Sequence, residues 1–150
     1  MTDTIDLPEA TKAMLAEQGA GGVSADHIRR VFEVYGDLLT AGDTAGIVAL
    51  FAADARVLDP ITSPAHVGHD AIRAFYQSGF DAMGGGIEMK LDGAVRIAGS
   101  NGAAAYIART INHDTVFRTE TLDVMTFDDD GLITSMTAYW GESNFTLDKA

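Results

Sequence analysis

Apolar and polar positions alternate in two different ways along this chain, with a break near residue 24. Ahead of the break, Pro8 is placed to open a short helix through Leu15. Gly19, Gly21 and Gly22 then form a flexible joint, so residues 1–23 are expected to be an extension of a domain spanning 24–150. From Ser24, a good helix cap, Ile28, Val31, Phe32, Tyr35, Leu38 and Leu39 recur at helical spacing. Ala41-Gly42-Asp43 ends that helix and caps a second one, which carries Ile47, Val48, Leu50 and Phe51. A strand follows over Ala55–Asp59 and stops at Pro60, which biases Asp59 toward an extended backbone. Gly68 precedes a third helix, capped around His69 or Asp70, with Ile72, Phe75, Tyr76 and Phe80 on one side and Gly84-Gly85-Gly86 at its end.

The remainder reads with a period of two. Strands are predicted near Ile87–Leu91, Val95–Ile97, Ala103–Asn112, Val116–Phe127 and Leu132–Trp140. Asn112-His113-Asp114 and Asp129-Asp130-Gly131 are turn sequences between neighbours, which implies antiparallel pairing. Helices followed by consecutive strands describe an α+β domain rather than a parallel α/β one. The long strand places Phe117, Thr119, Thr121, Asp123, Met125 and Phe127 on one face and Val116, Leu122 and Val124 on the other. Apolar residues on both faces suggest helices over one and a second subunit over the other, hence a homodimer.

Composition narrows the class. One domain suits 150 residues, and 47% hydrophobic residues exclude a disordered chain. No apolar run reaches the ~20 residues of a membrane span. The N-terminus lacks the pattern of a signal peptide, so a cytoplasmic protein is the expectation. A net charge of −12, from 22 acidic and 10 basic residues, argues against nucleic acid as a partner. Without cysteine, disulfides and thiolate metal sites are excluded.

Three residues are polar in apolar company. Tyr35 lies on the apolar stripe of its helix, where a core tyrosine with its hydroxyl bonded elsewhere is the ordinary description. Asp59 ends an apolar strand, and a surface or helix-capping role would also account for it. Asp123 sits mid-strand between Leu122 and Val124, where an ionised carboxylate is costly; either it is protonated or it pairs with Arg109 or Arg96. His27, His66, His69 and His113 have no metal-ligand spacing and read as exposed residues near turns. Asp128-Asp129-Asp130-Gly131 is turn chemistry rather than a calcium loop, lacking the later ligands.

Longer stretches carry a family resemblance. Ala41-Gly42-Asp43, Gly46-Ile47-Val48-Ala49-Leu50-Phe51, Asp59-Pro60, Gly68, Ala71-Ile72-Arg73-Ala74-Phe75-Tyr76, Leu122-Asp123 and Ser135-Met136 through Trp140-Gly141-Glu142 and Asn144 stand in an order similar to bacterial ketosteroid isomerases. The match covers roughly residues 26 to 145, with a few extra residues around Met83 to Gly86. The resemblance implies the cone-shaped fold shared with nuclear transport factor 2, three N-terminal helices packed in a curved antiparallel sheet, and a homodimer without cofactor. It also implies that Asp59 is a general base moving a proton from C4 to C6 of a Δ5-3-ketosteroid. Tyr35 and a protonated Asp123 would hold the C3 oxygen, a division of protonation for which this enzyme class is itself a standard example. Tyr76 would support Tyr35, and Phe51, Met125, Phe127 and Trp140, with Phe75, would wall an apolar slot. Phe51 departs from the pattern in that it cannot extend a tyrosine hydrogen-bond chain. Epoxide hydrolases, dehydratases and polyketide cyclases of the same fold, or a steroid- or lipid-binding module without catalysis, are the competing classes.

Overall fold

The computed structural model of the protein describes residues 6–16, 22–110 and 114–149. Gly19, Gly21, Asn112 and His113, and with them most of the expected joint and turn, lie outside the described residues. Helix α1 covers Glu9–Ala16 and buries nothing. Helix α2 spans Ala25–Ala41, with the Ser24 hydroxyl accepting from the His27 N–H at its start and Gly42 in the left-handed region (φ 68°) at its end. Its stripe of Ile28, Val31, Phe32, Tyr35 and Leu39 is buried, as its spacing predicts. Asp43 caps the short α3, Thr44–Val48, and α4 runs over His69–Met83 with Ile72, Tyr76 and Phe80 buried.

Among the described residues eight strands form one sheet: β1 Phe51–Leu58, β2 His66–Val67, β3 Ile87–Leu91, β4 Arg96–Ala98, β5 Asn101–Thr110, β6 Thr115–Phe127, β7 Ile133–Tyr139 and β8 Phe145–Lys149. The principal order is β2-β1-β7-β6-β5-β3, with β4 on β5 and β8 on β6. The sheet is mixed and not wholly antiparallel as expected, because β1 pairs with β7 in parallel. The two are neighbours in the sheet but separated in the chain by β2 to β6, so β1 does not enter by a hairpin and the long connection permits parallel pairing. Phe51 also departs from expectation: it begins β1, opposite Ile133, instead of closing the second helix. The Ile133 N–H donates to the Leu50 carbonyl and draws this segment into the sheet.

One side of β6 faces the helices, but it meets them unevenly. Near its C-terminal end, Met125 pairs with Gly102 of β5, where even a methyl group would overlap Phe32 and Ile28 of α2. Phe127 meets His27 edge-on at the first turn of that helix. Toward its N-terminal end the same strand no longer touches α2 closely, and a cavity opens. The outer side exposes Leu122 and Tyr139, which are direct cross-strand neighbours.

Candidate active site

The cavity is about 410 Å³, within the range of small-molecule sites. Its helical walls come from Tyr35 and Leu39 of α2 and from Phe75 and Met83 of α4. Ile87 and Met89 of β3 and Ala108, Arg109 and Thr110 of β5 form another side. Phe117, Thr119, Thr121 and Asp123 project in succession from β6, and Asp59, Trp140 and Phe145 complete the enclosure.

Tyr35 is 1% exposed, and its hydroxyl lies 2.7 Å from that of Tyr76. Burial pushes the Tyr35 phenol well above its usual pKa, with the neighbouring Tyr76, Asp123 and Asp59 adding in that order. Asp123 is 3% exposed and paired through its backbone with Ala104 and Ala138. Burial raises its carboxyl well above the ordinary range, the charge of Asp59 raises it further, and only the Thr121 hydroxyl pulls the other way. The ion pair considered for Asp123 does not form: Arg109 pairs with Glu88, its cross-strand neighbour, and Arg96 donates to the Ala94 carbonyl.

Asp59 follows the last residue of β1, across a cis peptide bond from Pro60, and is partly buried. Its carboxylate accepts a 2.6 Å hydrogen bond from the Trp140 indole N–H. Burial raises its pKa, while that hydrogen bond and nearby His66 hold it down. His66 stacks on Phe75 with ring centroids 4.4 Å apart. Thus the structure brings Tyr35, Asp59, Asp123 and Trp140 to one cavity. Tyr76 stands behind Tyr35 rather than on the wall.

Phe51, Met125 and Phe127 are corrections: all three are buried in the core and none lines the cavity. Strand alternation put Met125 and Phe127 on the right face, but α2 lies directly against that end of the sheet and fills the space. Phe51 packs beneath the site against Tyr76, ring centroids 6.4 Å apart. The bond from Trp140 to Asp59 is a feature that sequence reasoning missed, since no local pattern pairs residues 81 positions apart. Thr119 and Thr121 were detectable as same-face neighbours of Asp123. His66 carried no signal beyond its position after the Asp59-Pro60 turn. His27 and His69 are bonded to the carbonyls of Gly131 and Phe51, so they tie elements together rather than standing free. Among the described residues no cluster of His, Cys, Asp and Glu is arranged to hold a metal ion.

Residues 28–136 match the SnoaL-like domain. This chain belongs to the SnoaL-like family. Within the same frame it is 35% identical over 116 residues to a protein of Nocardioides simplex named Steroid Delta-isomerase, covering 77% of this chain and 91% of that one. A solved structure described as the epoxide hydrolase/cyclase-like enzyme SalBIII, in pyran ring formation in the polyether salinomycin, superposes with a TM-score of 0.72. That match covers 83% of this chain and 98% of the other at 23% identity, and establishes likeness of fold. The SnoaL-like chain thus combines a mixed sheet with helices on one side and an acid-lined cavity between them. No helix among its described residues is long and apolar enough to cross a membrane.

Proposed function

We propose that the protein is a steroid Δ-isomerase that converts Δ5-3-ketosteroids to conjugated Δ4-3-ketosteroids. The observation that carries this reading is one apolar cavity holding a phenol, a carboxyl that burial pushes well above its ordinary range, and a second carboxyl whose rise is opposed by an indole N–H. In this mechanism the Asp59 carboxylate takes a proton from C4, alpha to the C3 ketone. The C–H electron pair moves into the ring and charge develops on the C3 oxygen as a dienolate. Tyr35 and protonated Asp123 donate hydrogen bonds to that oxygen, where preoriented donors in a water-poor site lower the barrier most. Tyr76 donating to Tyr35 leaves the Tyr35 proton free for the ligand. Asp59 then returns its proton at C6, so the reaction balances within one molecule.

The Nocardioides simplex relative supports the same assignment through its name. An epoxide hydrolase of this fold would want a cation among its cavity acids to position water. Here Arg109 borders the cavity, but its guanidinium is paired with Glu88 at 3.5 Å and is half exposed, so it is not held between Asp59 and Asp123 and the arrangement favours proton transfer over hydrolysis. Purified protein mixed with a Δ5-3-ketosteroid is expected to develop the ultraviolet absorbance of the conjugated enone, with no added cofactor. Tight steroid binding without that absorbance would replace the isomerase reading with a binding module. Opening of an epoxide substrate in its place would favour the hydrolase class.

A further inference from the structure

Among the described residues, the only fully buried side-chain oxygen or nitrogen without a hydrogen-bond partner is the Thr121 hydroxyl. An unmade hydrogen bond of this kind is costly, and native structures keep few of them. Its position limits what can satisfy it. Thr121 borders the cavity, yet its oxygen is closed off, so a ligand in the cavity cannot reach it. Across the sheet it faces Tyr106, whose hydroxyl proton is committed to the Phe32 carbonyl at 2.6 Å. Two residues along the same face of β6 stands Asp123, whose carboxyl is the group the Thr121 hydroxyl acts on.

We infer that Thr121 is a positioning residue for Asp123: its hydroxyl donates to the carbonyl oxygen of the protonated acid, which leaves the acid's own O–H directed at the cavity. A small turn of the Asp123 side chain closes the contact. A neutral carboxyl has one donor and one acceptor side, and without a second contact either oxygen can carry the proton. Donation to the carbonyl oxygen fixes the proton on the other one. It also withdraws electron density from the acid, making the O–H a stronger donor to a developing oxyanion. The direction in which Thr121 acts on Asp123, toward easier ionisation, agrees with this. The inference rests on the isomerase reading for its kinetic consequence but not for its spectroscopic one.

The test compares Thr121→Val, which keeps the shape and removes the hydroxyl, with Thr121→Ser, which keeps the hydroxyl. In T121V kcat for a Δ5-3-ketosteroid is expected to fall about 5- to 10-fold with KM within about 2-fold, the worth of one hydrogen bond made to the transition-state donor. T121S is expected to recover most of that loss. Independently, infrared spectra of the ligand-free protein should show the carbonyl stretch of protonated Asp123, assigned by its loss in D123N, at higher frequency in T121V than in wild type. An unmoved band overturns the inference, and so does a loss in T121S as large as in T121V, which would make the role one of packing. If wild type never forms the conjugated ketone, the isomerase reading fails, while the carbonyl band still decides the Thr121 contact.

Discussion

Asp59 and Asp123 border the same cavity and differ in what faces them. Asp59 lies just past the end of β1, partly open, with an indole N–H aimed at its carboxylate and an imidazole close by. Asp123 lies in the middle of β6, closed in on both sides by β5 and β7, with no cation and no backbone donor turned toward it. Burial pushes both acids up; an indole N–H and a nearby imidazole pull Asp59 back, whereas Asp123 has only the Thr121 hydroxyl against it and is raised further by the charge of Asp59. A carboxyl's role here is set less by how deeply it is buried than by which groups reach its oxygens. Because the charge of Asp59 also raises Asp123, the protonation of one acid bears on that of the other. The chemistry requires that coupling to favour one bare and one protonated acid.

The most forceful way to break this contrast is to remove the base. Asp59→Asn keeps the shape and the contact with Trp140 but cannot accept a proton. Turnover is expected to fall about 10²- to 10⁴-fold, the usual worth of a positioned acid–base group, with binding of a phenolic steroid retained. Steady-state kinetics beside a binding titration would check it, and a variant that keeps more than a tenth of wild-type turnover would remove Asp59 from the mechanism.

A milder change makes Asp59 more like Asp123. Trp140→Phe deletes the N–H that stabilises the carboxylate, so the Asp59 pKa should rise further. In the profile of kcat/KM against pH, activity appears as Asp59 loses its proton. That limb should therefore move to higher pH, because a hydrogen bond made to the charged form is lost. A limb that stays in place while activity falls uniformly would show that Trp140 acts only as a wall of the cavity.

Much of this contrast is legible in the sequence, and the illegible part has a physical cause. Ser24, Asp43 and the apolar stripe of α2 announce their helices because capping and helical period are local properties. Asp123 stands out because aspartate in mid-strand is a local anomaly. The bond from Trp140 to Asp59, the parallel pairing of β1 with β7, and the strands β2 and β8 depend on residues far apart in the chain, and no local period encodes them. Phe51, Met125 and Phe127 show a second limit. Alternation tells which side of a strand a residue takes, but not how far along that side the helices remain in contact. Gly102, by letting Phe32 and Ile28 settle against the sheet, closes the core over Met125, and the cavity begins only beyond it.

A further expected effect concerns stability, and it separates the two acids most cleanly. Asp123 in the folded protein has a pKa above that of the unfolded chain, so the native state keeps a proton that the unfolded state releases. Where the native state binds more protons, stability falls as pH rises, by up to about 1.4 kcal/mol per pH unit for one proton. The decline starts above the ordinary aspartate value near 3.8 and continues until the folded-state group itself ionises. Asp59, also raised, contributes with the same sign but more weakly, since donors offset its burial. Asp123→Asn replaces the acid with a neutral side chain of the same shape at every pH and removes its share of the slope. Urea midpoints measured from pH 4 to pH 7 should therefore fall more steeply for wild type than for D123N, with the two curves separating as pH rises. The same variant of Asp59 should change the slope less. Parallel curves for wild type and D123N would mean that Asp123 is already ionised in the native state and held by a partner, and the protonated half of the site would be lost with it.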